Sequence, residues 1–158
     1  MASPKRTSGK PSASSSVARP DEPAPAGALA TLFIDRCAWS RLLGNALREA
    51  GIAFVSHQER FAPNAPDDEW LAGVADKGWL VVTRDQRIRY KVNELQAAVR
   101  ARLHLFVFTQ GGLPAAETAT ILVHAYPAMC RRAASQPPPA FWSLQRSGAV
   151  TALRLPAA

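Results

Sequence analysis

The chain has two cysteines and three histidines in 158 residues, and neither set shows ligand spacing. Cys37 and Cys130 are far apart and form no C-x-x-C pair. His57, His104 and His124 fall at no ligand interval from one another or from the cysteines. A structural zinc site of familiar pattern is therefore excluded. His104 and His124 sit in apolar stretches and are expected to pack in the core. Two cysteines without a secretory leader point to a reduced, cytoplasmic compartment. No apolar run approaches the roughly 18 to 20 residues of a membrane span, so no membrane association is expected. G-x-S-x-G, Walker and G-x-G-x-x-G patterns are all absent. That removes the nucleophile elbow, the P-loop and the dinucleotide fingerprint.

Acidic residues are also scarce, 12 against 19 Lys and Arg, for a net charge of +7. Four of the basic residues and two of the acidic ones fall in 1–28, so most of the excess belongs to the rest of the chain. Such a balance suits a polyanionic partner. Against it, the position of each carboxylate is informative. Asp35 ends the apolar run TLFID (31–35), and Asp85 ends WLVVTRD (79–85). Asp67, Asp68 and Glu69 open the helix-like segment DDEWLAGVADKG between them. Apolar runs of this length, each followed by a helical pattern, read as buried strands of a parallel sheet. Ligands of open α/β sheets bind outside the carboxyl ends of the strands. Two strand-end aspartates and an acidic helix start would therefore share one rim, where hard cations such as Mg²⁺ or Mn²⁺ find oxygen ligands.

The pattern along the chain predicts a three-layer α/β/α domain with a mostly parallel central sheet. Residues 1–28, rich in Ser, Pro, Ala and Lys, are too poor in large apolar residues to offset their ordering entropy and are expected to be a disordered basic tail. Strands are expected at 31–35, 52–56, 79–83 and 103–108. Helices are expected at 39–50, 67–77 and 92–100 and from 114 to about 132, with Pro127 kinking or shortening the last. Residues 57–66 read as a Pro-broken loop. The domain is bounded at 29–135, and 136–158 reads as a Pro-rich linker with a terminal β-hairpin around Arg146-Ser147-Gly148.

The order of these pieces, and above all DDEWLAGVADKGWLVVTRD at 67–85 together with FIDR at 33–36, resembles the PIN-like domain family, in particular compact nucleases related to toxin-type VapC ribonucleases. The resemblance covers about residues 31–132. It implies a divalent-metal-dependent endoribonuclease in which Asp35, Asp67 and Asp85 are catalytic and hold one or two Mg²⁺ or Mn²⁺ ions. RNA would be the substrate, and an antitoxin protein and a homodimer are candidate partnerships. Two such ions activate a water and stabilise the leaving oxygen of a phosphodiester.

The chain departs from the family in lacking a further Glu between the first strand and the Asp-initiated helix. Glu49 closes a helix facing away from the rim, and Glu59 lies in the loop. Glu69 is about 200° around the helix from Asp67. Glu69 and Glu94 are the candidate substitutes. The missing carboxylate leaves a second function class open, a catalytically inactive PIN-like module that binds RNA or a protein. Arg84, Arg87, Arg89 and Lys91 bracket Asp85 and Tyr90, either gripping flanking phosphates or forming a solvated charged turn whose arginines pair with Asp67, Asp68 and Glu69. Thr109, at the end of the fourth strand, is a further substrate-binding candidate. Trp39, Trp70 and Trp79 are expected to serve packing.

Overall fold

The computed structural model describes residues 29–155; the expected tail at 1–28 lies outside them. The chain runs β1 (Leu32–Ile34), α1 (Arg41–Glu49), β2 (Phe54–Ser56), α2 (His57–Arg60), α3 (Asp67–Gly73) and β3 (Leu80–Thr83). A 3-10 helix (Gln86–Tyr90) then leads to α4 (Val92–Arg100), β4 (His104–Phe108), α5 (Ala115–Ser135), β5 (Ala140–Leu144) and β6 (Val150–Ala152). The six strands form one sheet in the order β2-β1-β3-β4-β5-β6. All neighbours are parallel except the antiparallel β5–β6 pair. The fold is a mostly parallel α/β sheet covered by helices on both faces.

Alternate residues of each strand supply the two faces. Leu32, Ile34, Leu80, Val82, Phe106 and Phe108 pack beneath α1 and α5. Phe33, Val81, Leu105 and Val107 pack beneath α3 and α4. Phe33 is fully buried and stacked between two indoles, Trp79 at 5.7 Å and Trp70 at 5.6 Å. Its truncation to Ala would cost about 3–5 kcal/mol, because two large rings would border the cavity.

Several elements differ from expectation, each for a local reason. The first helix starts at Arg41, because the Ser40 side chain accepts a hydrogen bond from Leu43 N–H and caps it. Trp39 instead packs against Gly44, where an added Cβ would meet the indole at 2.5 Å. The loop at 57–66 contains the short α2, whose start is held by Glu59 accepting from both Ser56 N–H and Ser56 Oγ. This is the S-x-x-E capping pattern. The helix opening at Asp67 ends at Gly73 and not at 77; Phe61 packs against Gly73, and Asp76 takes a positive φ of 65° in the turn that follows. Pro127 neither ends nor shortens α5, which continues to Ser135. Leu122, Ala125, Tyr126 and Met129 are buried around it while Pro127 itself is exposed, so tertiary burial outweighs the lost backbone bond.

The β5–β6 hairpin at the C-terminal end is part of the same sheet, since β5 lies parallel beside β4 from His104↔Ala140 to Phe108↔Leu144. His104 is buried and accepts from Trp142 Nε1. His124 is exposed, packed against the turn at Gly148 and not in the core.

Connections reverse direction at β1. The chain leaves β1 for β2 on one side and returns to place β3 on the other. The carboxyl ends of β1 and β3 therefore border the crevice that such a switch point opens.

Candidate active site

Asp35 follows β1, and Asp85 follows β3 by two residues, so adjacent strands carry them to the same edge. Asp67 is the first residue of α3, which enters over that edge. All three line one open cleft of about 520 Å³, together with Arg36, Cys37, Arg84, Gln86, Arg87 and Lys91.

Asp35 is buried and held on both oxygens. Oδ1 accepts from Arg36 N–H at 2.7 Å, and Oδ2 accepts from Thr83 Oγ1 at 2.8 Å and from the Cys37 thiol at 3.2 Å. The Thr83 hydroxyl also accepts Asp85 N–H at 3.1 Å, so one buried oxygen ties the ends of β1 and β3 together. Burial, and then the Asp35 charge, push the Cys37 thiol up to about 11. At that value the thiol is protonated at neutral pH and donates to Asp35.

Asp67 is fixed from below by the fully buried Trp70, whose indole N–H donates to Oδ1 at 2.9 Å. Arg36 reaches the same oxygen at 3.6 Å and donates to the Ala65 carbonyl at 2.9 Å. Its NH1 is also 3.4 Å from His57 Nε2. An arginine only donates, so His57 accepts there and carries its proton on Nδ1, a buried atom with no partner among the described residues. Burial lowers the His57 pKa below 6.5, the Asp35 charge opposing the effect.

Asp85 caps the 3-10 helix by accepting Arg87 N–H at 3.1 Å. Its Oδ2 takes a 2.7 Å hydrogen bond from Lys91 Nζ, which also lies 3.8 Å from Asp67 Oδ2. The bond to Asp85 raises the Lys91 pKa, so the ammonium is charged throughout the ordinary range.

The other candidates sit apart. Glu69 is exposed and Glu94 half-buried on α4, and neither borders the cleft. Arg84 and Arg87 border it, whereas Arg89 donates to the Arg154 carbonyl and lies over the Tyr90 ring. Thr109 shares a hydrogen bond with Ser143 on the β5 side. Glu49 lies on α1, and Glu59 is consumed by the α2 cap. Cys37, His57 and the anchoring role of Trp70 were not anticipated from sequence. Only Trp70 had a readable signal, its i, i+3 spacing from Asp67.

A family model described as a PIN-like domain matches residues 30–110. The chain belongs to the PIN-like domain family. It is also 25% identical over 126 residues to a Mycobacterium tuberculosis protein named "Putative ribonuclease VapC45", covering 77% of this chain and 91% of that protein. No solved structure matches. Among the described residues, no helix is long and apolar enough to cross a membrane.

Divalent ions are general in this family. Among the described residues, no three His, Cys, Asp or Glu side chains converge closely enough to enclose an ion. Asp67 and Asp85 nevertheless present oxygens to a single cation, the Lys91 ammonium. Carboxylate oxygens are the donor type that a hard divalent ion takes, and here Lys91 already spans those of Asp67 and Asp85.

Proposed function

We propose that the chain is a divalent-metal-dependent ribonuclease that hydrolyses RNA phosphodiesters. The observation that carries this reading is the joining of Asp35, Asp67 and Asp85 in one cleft at the β1/β3 switch point, bordered by Arg84 and Arg87. The 25% identity to a protein named as a ribonuclease supports it. When bound, Mg²⁺ or Mn²⁺ would supply Lewis acidity and a nucleophilic water at neutral pH. Asp67 and Asp85 would hold it, and Asp35, through Thr83, would keep the two strand ends in register around it. Arg84 and the strongly exposed Arg87 would draw in and orient the flanking phosphates.

The compact toxin-type architecture makes an antitoxin protein the partner proposed for it, and the cytoplasm its compartment. A second reading, an inactive RNA- or protein-binding module, is favoured by one observation. Arg36 and Lys91 already span the carboxylates as ion pairs.

The test is cleavage of a mixed RNA substrate by the purified chain. Cleavage in Mn²⁺ that is abolished by EDTA and by Asp35→Asn supports the nuclease. RNA binding with no cleavage in either metal supports the module.

A further inference from the structure

Every described Phe, Tyr and Trp except Tyr90 packs in or against the two core clusters, whereas Tyr90 is 62% exposed. A single exposed apolar side chain is ordinary on a protein surface. The position of this one sets it apart. Tyr90 closes the 3-10 helix, in which residues three apart eclipse one another. Arg87 and Tyr90 therefore stand on one face, about 6 Å apart along the axis, while Ile88 is the residue that turns into the core. The Arg87 side chain is 83% exposed and borders the cleft, and so does Lys91 immediately after Tyr90. The ring thus lies one helical turn beyond the basic rim.

Arg89 gives the ring a fixed neighbour. Its NH1 donates to the Arg154 carbonyl at 3.2 Å, and its guanidinium carbon lies 5.1 Å from the centre of the Tyr90 ring. The cation is held from the far end of the sheet, 65 residues along the chain, and in turn restricts how the phenol can swing. The ring nevertheless stays exposed, so it is ordered ahead of any partner without being covered. Asp85, the acid that begins this helix, is already paired with Lys91, which leaves the arginines to set the local charge.

We infer that Tyr90 is a base-stacking residue and that the cleft takes its RNA as a single strand. A base lies on the ring while its neighbouring phosphate meets Arg87, one turn back toward the cleft. A duplex keeps its base faces inside its own stack and gains nothing from the ring. A single strand offers a π-face at every nucleotide, whatever the sequence. The inference rests on the RNA reading above, in either its nuclease or its module form, and specifies the strand state of the RNA. It requires no metal ion. The arginines favour a polyanion over a protein as the occupant, and the test separates the two.

The experiment measures affinities of the full chain in EDTA, by fluorescence anisotropy, for three probes: an unpaired mixed-sequence RNA, the same RNA annealed to its complement, and inorganic polyphosphate by competition. Wild type is compared with Tyr90→Ala, Tyr90→Phe and Arg87→Gln, each checked for folding by its melting curve. Tyr90→Ala is expected to weaken the single strand about 10-fold or more while leaving duplex and polyphosphate affinities unchanged. Tyr90→Phe should match wild type, and Arg87→Gln should weaken all three probes. An equal loss on every probe in Tyr90→Ala overturns the inference, as does the same loss in Tyr90→Phe. Unchanged single-strand affinity in Tyr90→Ala also overturns it and leaves the exposed ring to a protein partner. In that case RNA binding by wild type keeps the parent reading standing. A wild-type chain that neither binds nor cleaves RNA overturns both.

Discussion

The indole N–H of Trp70 donates to Asp67 Oδ1 at 2.9 Å from within the core, so one residue packs the domain and aims a cleft carboxylate. Trp70 stacks on Phe33 and meets the rings of His57 at its edge. Asp67 is thereby fixed from the buried side and leaves its other oxygen toward Lys91.

Trp70→Phe separates the two roles. Most of the packing survives, but the donor to Asp67 is lost and a small cavity opens. Stability should fall by about 1–3 kcal/mol in urea titration. Mn²⁺ affinity should fall several-fold when measured well below the melting transition. Unchanged affinity in the folded variant would show that Asp67 is aimed without Trp70.

Thr83→Val tests the joint between the two strands. The substitution keeps the shape but removes the donor to Asp35 Oδ2 and the acceptor for Asp85 N–H, both at a fully buried position. The expected loss is about 1–3 kcal/mol, because the Asp35 carboxylate is left short of a donor. Thr83→Ser should restore most of it. Equal stability of the Val and Ser variants in thermal denaturation would contradict the account.

Sequence legibility follows the range of the interaction. Asp35, Asp67 and Asp85 could be placed on one rim because strand ends and a helix start are properties of short segments, and parallel topology then aligns them. The Lys91 bridge could not be read, since it depends on a 3-10 turn folding the basic run back over Asp85. Neither could the Cys37 contact, which spans 46 residues to Thr83. Thr109 follows β4 beside the rim, yet its hydroxyl turns to Ser143 on the neighbouring strand, a choice set by β5. Pro127 lies within α5 because the burial of its neighbours, which local propensity does not show, outweighs the lost backbone bond. The Ser56–Glu59 cap, by contrast, is legible in the sequence as S-x-x-E, although the prolines beyond it read as a loop.

Stability should depend on pH through His57. Folding lowers its pKa from 6.5, so the unfolded chain takes up the proton first as the medium is acidified. The contribution is complete above 6.5 and is lost as pH falls from there through the folded-state value. His104, also lowered by burial, acts in the same sense. Urea midpoints measured between about pH 7.5 and 5 should therefore decline toward acid, and less steeply in His57→Phe. An identical slope in that variant would remove His57 from the explanation.

Asp85→Asn should abolish cleavage while leaving the domain folded. From sequence, relief of carboxylate repulsion predicts a melting temperature that holds or rises. The structure changes that expectation, because Lys91 already offsets the repulsion. Asn retains the cap to Arg87 N–H but weakens the pair with Lys91, so stability should fall by less than about 1 kcal/mol at low salt, and less still at high salt. A collapse of folding would make Asp85 a structural turn residue and remove the best support for a nuclease.

The most direct measurement is the anomalous scattering of Mn²⁺ in a crystal of the full chain. The account predicts a peak in the cleft, bonded to carboxylate oxygens of Asp67 or Asp85 on the side of Asp35, with Lys91 still against the pair. Manganese bound only elsewhere on the surface, at a concentration that supports RNA cleavage, would contradict it.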